Sequence, residues 1–126
     1  MNKEVVSTDN APKAIGPYSQ GQKIGNLVFT SGQIPLDPKT GTLTTEIKAA
    51  TKQSLENVKG ILEASGSSLD NVIKTTVFIK NMDDFKVVNE IYATYFTSNP
   101  PARSCVEIAK LPMDALIEIE AIAYVD

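Results

Sequence analysis

The chain has 126 residues, of which 42% are apolar and 21% charged, a balance that suits one compact domain over residues 1–126 and excludes a disordered chain or a two-lobed enzyme. Twelve basic side chains against fifteen acidic ones leave a net charge of −3 and an isoelectric point near 4.9, so no overall positive field draws the molecule to nucleic acid or anionic lipid. No apolar run approaches the ~20 residues that span a bilayer, Met1-Asn2-Lys3-Glu4 lacks the apolar stretch of a signal peptide, and the expected setting is the cytoplasm.

Lys3 to Ser7, with Val5 and Val6, predicts a short strand, and Pro12, Gly16 and Pro17 make Ala11 to Gln20 a loop. Gln22 to Ser31 predicts a hairpin turning at Gly25-Asn26, after which Pro35, Pro38 and Gly41 mark a long turn. From Glu46 the spacing of Ile47, Ala50, Leu55, Val58, Ile61 and Leu62 is helical, and Gly66 is placed to end a helix of about five turns. Val72 to Ile79, rich in β-branched residues, predicts an interior strand. Asn81 can cap a second helix whose buried stripe is Phe85, Val88, Tyr92 and Tyr95, stopped by Asn99-Pro100-Pro101. Ala102 to Ile108 and Leu116 to Val125 predict the last two strands.

Two helices and about six strands give an α+β fold, a single mainly antiparallel sheet with both helices on one face. On the last strand Ile117, Ile119, Ala121, Ala123 and Val125 point one way, and Leu116, Glu118, Glu120, Ile122 and Tyr124 the other. A sheet apolar on both faces, with helices enough for one, is expected to bury the other against further copies of itself.

The missing residue types narrow the chemistry. There is no histidine, and Cys105 is the sole thiol, so nitrogen-and-sulfur metal sites and histidine-activated nucleophiles are not expected. No Gly-Lys-Ser/Thr phosphate loop follows Gly16, Gly21 or Gly25, and no nucleotide cofactor is indicated. Any general base must be Asp, Glu, Lys or Tyr. Arg103 stands alone among eleven lysines; its planar fork suits bidentate carboxylate recognition, although composition alone equally allows an ordinary surface charge.

Glu118 and Glu120 lie two apart on one strand, hence on one face and about 7 Å apart. Apolar neighbours Leu116, Ile122 and Tyr124 predict partial burial, which an ionised carboxylate tolerates only with compensation. The short connection makes the two final strands candidate antiparallel neighbours, with Arg103 as partner to one glutamate. Strand parity leaves open which glutamate, and whether the pair is structural or catalytic. The loops Ala14 to Gln20 and Thr30 to Pro35 combine prolines, glycines and hydroxyls that fit either a small pocket or ordinary turns.

The chain resembles the reactive-intermediate deaminases of the RidA (YjgF) family. The matching stretches are Ala11-Pro12 with Ile15-Gly16-Pro17-Tyr18-Ser19-Gln20, Thr30-Ser31-Gly32-Gln33-Ile34-Pro35, and Lys74-Thr75-Thr76-Val77-Phe78-Ile79. Pro101-Ala102-Arg103-Ser104-Cys105-Val106-Glu107-Ile108-Ala109-Lys110-Leu111-Pro112 and Ile117-Glu118-Ile119-Glu120-Ala121-Ile122-Ala123 complete a likeness that covers nearly the whole chain in order. The resemblance implies a chorismate-mutase-like fold, a homotrimer around a central barrel, and three clefts between subunits. It implies hydrolysis of 2-aminoacrylate, 2-aminocrotonate and their imine tautomers to 2-keto acids and ammonia, without a cofactor, protecting pyridoxal-phosphate enzymes from these products.

Carried over by residue, Arg103 matches the arginine that grips the substrate carboxylate and Glu118 the carboxylate that activates water. Cys105 matches a site cysteine that contributes its backbone N–H and is not expected to act as a nucleophile. Tyr18, Ser31, Gly32, Phe85, Asn89 and Pro112 fall where the family lines its cleft. The alternative is a non-enzymatic role in which the cleft binds a small carboxylate or keto acid and reports on metabolism. Ribonuclease activity, sometimes reported for relatives, fits poorly with the absence of histidine, the single arginine and the acidic balance.

Overall fold

A computed structural model describes residues 1–126. Six strands, β1 (Lys3–Val6), β2 (Gly21–Ile24), β3 (Leu27–Thr30), β4 (Val72–Ile79), β5 (Ala102–Glu107) and β6 (Ile117–Tyr124), form one sheet in the order β1-β2-β3-β6-β4-β5. Helices α1 (Ile47–Ala64) and α2 (Phe85–Tyr95) pack together on one face.

Local sequence explains these elements. Glu46 accepts a hydrogen bond from the Ala49 N–H at 2.8 Å and caps α1, and its carboxyl is held below the usual range by that bond first and the one from Lys48 next. Ala50, Leu55, Val58, Ile61 and Leu62 turn into the protein. Gly66 follows the helix at φ +88°, the left-handed conformation that ends it. Asn81 caps a 3₁₀ turn, Met82–Asp84, that leads into α2. Val28, Val77, Ile79, Ile117 and Ile119 meet Leu55, Val58, Leu62, Val88 and Tyr92 in the main core. Burying a side chain of this size contributes about 1.5–3 kcal/mol.

One expected pairing is corrected. β5 is not the neighbour of β6: it runs parallel to β4, with Thr75 opposite Arg103. β6 lies between β3 and β4, antiparallel to both. The physical reason is the helix after β4, which carries the chain back along the sheet so that β5 must restart in the same direction. β6, wholly apolar on the helix side, takes the central slot. The sheet is therefore mixed, with one parallel pair.

The face opposite the helices is uncovered within the chain. It presents Val5, Ile24, Phe29, Ile122, Tyr124 and Val106 by strand parity, with Val5 67% and Phe29 40% exposed.

Candidate active site in two halves

The first half is built on the helix-covered side at the sheet edge. Alternation along β5 sends Arg103 and Cys105 to that side, beside Thr75 and Val77 of β4. Phe85, Asn89 and Tyr92 recur on α2 at steps of four and three, which places them on one face looking at β5. Arg103 Nη1 donates to Asn89 Oδ1 at 2.8 Å. Its guanidinium carbon lies 4.8 Å from the Tyr92 ring centre and 5.5 Å from that of Phe85, where the negative ring faces attract a cation. The Tyr92 hydroxyl is in turn hydrogen-bonded to Thr75 Oγ1 at 2.7 Å. Burial raises the phenol's pKa, with the Thr75 bond and Arg103 acting in the opposite direction.

The cation is thus oriented but not neutralised. The chain's one ion pair is Lys80 with Asp114 at 2.9 Å, so the expected bridge between Arg103 and a glutamate is absent. The reason is topological: β4 separates β5 from β6. Cys105 sits beside the arginine with its thiol pKa pushed up by burial, more than Arg103 draws it down. It is not an activated thiolate.

The second half is on the other face. Glu118 pairs across β4 with Phe78 on the uncovered side, while its neighbours Ile117 and Ile119 are fully buried on the helix side. Burial first, and the charge of Glu120 second, raise its carboxyl pKa. The carboxylate lies against Gly32, where an added Cβ would come within 2.6 Å of Glu118 Cδ; only a glycine permits that approach. The loop is fastened there by Gln33 and Ile119, which exchange backbone hydrogen bonds at 2.8 and 3.1 Å. The Ser31 hydroxyl donates to the Ser19 carbonyl, tying this loop to the one that carries Tyr18.

Tyr18, Gly32 and Pro112 share a cleft of about 310 Å³, walled by Ile15, Ile34, Leu36 and Met113. The two proline- and glycine-rich loops do line a pocket. A larger polar hollow of about 390 Å³ beside α1, between Asp9, Asp37 and Glu63, contains none of the sequence-predicted residues.

The predicted residues therefore form two groups: Arg103, Asn89, Phe85 and Cys105 in one, and Glu118, Gly32, Ser31, Tyr18 and Pro112 in the other. Sheet spacing puts the α-carbons of Arg103 and Glu118 about 14 Å apart, on opposite faces, so no substrate can touch both side chains within one copy. Tyr92 and Thr75 join the first group, although the sequence does not mark either as a site residue. Tyr92 falls in the core stripe, and its spacing of three from Asn89 is the one sequence signal that places it on the same helix face.

The sequence profile of the family described as endoribonuclease L-PSP matches residues 8–125. A RutC family protein of Pyrococcus horikoshii is 60% identical over 97% of this chain and 98% of its own. A protein of Salmonella typhimurium named 2-iminobutanoate/2-iminopropanoate deaminase is 54% identical, covering 95% of this chain and 96% of its own. The crystal structure of Escherichia coli TdcF with bound serine superposes with a TM-score of 0.95 at 47% identity, covering 98% of this chain and 99% of that one. The profile runs through β2 to β6 and both helices, and this chain belongs to the YjgF/RidA family, also described as the endoribonuclease L-PSP family.

Proposed function

We propose that the protein hydrolyses reactive 2-enamine and 2-imine acids to 2-keto acids and ammonia, at clefts formed between copies of the chain. The observation that carries this reading is Arg103, a guanidinium already oriented by Asn89, Tyr92 and Phe85 yet without an anionic partner. Such a group is a receptor for a carboxylate brought by a ligand. The deaminase name of the Salmonella relative supports the same substrate class: 2-aminoacrylate and 2-aminocrotonate with their imines 2-iminopropanoate and 2-iminobutanoate.

Because Arg103 and Glu118 occupy different surfaces, a site using both joins unlike patches of two copies. A two-fold pair or a closed ring both allow such a contact, and the reading adopted is the ring, a homotrimer around a barrel of the uncovered faces. The exposed apolar residues of that face favour coverage.

Arg103 of one copy fixes the substrate carboxylate, and Glu118 of the next accepts a proton from water as its oxygen attacks C2 of the imine. The C=N π electrons move to nitrogen, giving a tetrahedral amino alcohol. Glu118 returns that proton to the nitrogen, then takes the hydroxyl proton and delivers it to the amine, so that ammonia leaves as the C–N bond breaks and the C=O of the 2-keto acid forms. Uncatalysed hydrolysis already proceeds in water, so fixing the substrate and supplying one base, worth about 10²–10⁴-fold, is sufficient chemistry. Removing such acids protects pyridoxal-phosphate enzymes that would otherwise be modified by them.

The test generates 2-aminoacrylate in solution and follows pyruvate release. Wild-type protein is expected to accelerate it, Arg103→Ala to lose turnover and carboxylate binding together, and Glu118→Ala to retain binding while losing turnover. No acceleration by the wild type would refute the reading. The serine bound to TdcF favours a second one, in which the same arginine holds a small carboxylate without turnover; binding by both wild type and Glu118→Ala, with no pyruvate released above background, would select it.

A further inference from the structure

The turn between β5 and β6 holds two adjacent non-glycine residues in left-handed conformation, Met113 at φ +58° and Asp114 at φ +56°. Such backbone is strained and persists only where its surroundings fix it. Here the Asp114 N–H donates to the Leu111 carbonyl at 3.0 Å and the Ala115 N–H to that of Pro112 at 3.1 Å. Lys80 Nζ holds Asp114 Oδ2 at 2.9 Å. The strained turn carries Met113 to the cleft that Gly32 and Ile15 also line. Met113 is 60% exposed and Ile15 91%, so neither side chain serves the core.

We propose that Met113 is the specificity-determining residue of the cleft, and that it favours 2-imino acids whose side chains are unbranched, apolar and longer than ethyl. This rests on the deaminase reading above. Glu118 and Gly32 locate the carbon that water attacks, and the substrate carboxylate is directed to Arg103 of another copy. The remaining substituent on that carbon then points into the cleft of the copy that supplies Glu118, toward Tyr18, Ile34 and Met113. A volume of about 310 Å³ is room for about ten waters at ~30 Å³ each. A methyl substituent displaces little of that water, whereas a longer chain displaces much of it against apolar walls. The thioether of methionine is unbranched and adaptable, able to follow such a chain but unable to pair with a charge.

The test compares imino acids made in solution from alanine, norvaline and norleucine by a flavin-dependent amino-acid oxidase with oxygen, following 2-keto acid release above the uncatalysed rate. The readout is the ratio of kcat/KM for the norleucine-derived imine to that for the alanine-derived one. In the wild type the ratio is expected to exceed about ten, and to fall about tenfold in Met113→Gly and Met113→Asn. Met113→Leu should retain most of it. Glycine and asparagine both accept a left-handed backbone, so the first two variants are expected to fold, as a melting curve will verify. A ratio unchanged within about twofold in both, or a wild-type preference for the alanine-derived imine, overturns the role of Met113 and leaves the deaminase reading standing. A wild type inactive on all three overturns the deaminase reading, and this inference with it.

Discussion

The two halves of the candidate site are made by different means. Around Arg103 the parts come from regular structure: one strand position, and three helix positions on a single face. The result is a cation with its hydrogen bond and its aromatic supports already in place. Around Glu118 only the carboxylate comes from regular structure, and the rest is two loops drawn together by Ser31 and pressed close by Gly32. That half remains unfinished, a partly buried carboxylate with another at Glu120 and no cation. Periodic structure orients the cation fully within the chain, whereas the loops leave the carboxylate without an ion-pair partner.

The sharpest way to break this comparison is to damage one half in each of two chains. Arg103→Ala and Glu118→Ala chains, each inactive alone, are unfolded together and refolded as a mixture. If every site takes one half from each of two copies, random assembly restores about a quarter of the wild-type rate. Pyruvate release that stays at background would mean that the halves do not combine between copies.

Gly32→Ala probes the loop-built half. Its Cβ would displace the Glu118 carboxylate, and a misplacement of about 1 Å is expected to lower kcat about 10²-fold while carboxylate binding, which belongs to the other half, persists. An unchanged kcat would show that the close approach has no catalytic consequence.

The pH profile gives a finer test. Glu118 acts as base only when ionised, and its pKa lies above the ordinary 4.5. Activity therefore declines as pH falls through that raised value, earlier than for an ordinary glutamate. Glu120→Gln removes the neighbouring charge but leaves burial, the larger cause, so the acid limb should move to lower pH without reaching the ordinary position. Movement to higher pH would contradict the assignment of that limb to Glu118.

The smallest effect is expected at Tyr92→Phe. The ring beneath Arg103 stays and only the hydroxyl link to Thr75 is lost, which should weaken substrate binding by about 1 kcal/mol, or roughly fivefold in KM, with kcat little changed. Tyr92→Leu, which also removes the ring, should exceed this; equal effects would assign the role to the hydroxyl alone.

Much of the fold is legible in the sequence because its signals are local. β-branched density marks β4 with the bounds found in the structure, Glu46 and Gly66 bracket α1, and Gly25-Asn26 turns the hairpin. The pairing of β5 is not local. Seven or so intervening residues suggest a hairpin with β6, but the strand's direction is settled by the helix before it and its place by which strand fills the centre of the sheet. The site follows the same division. Residue types and resemblance pick out Arg103 and Glu118, yet their separation onto opposite faces depends on that pairing. Tyr92 reads as core because an aromatic at helical spacing serves burial and cation support with the same signature.

The alternation along β6 has an engineering consequence. Moving the carboxylate by one position toward the arginine's side would place it at Ile117 or Ile119, both completely enclosed in the main core, where an unpaired negative charge would unravel the domain before it could assist a reaction. If each site takes its two halves from different copies, as proposed, no one exchange on that strand yields a single-copy version, and dilution far enough to separate the copies is expected to abolish activity.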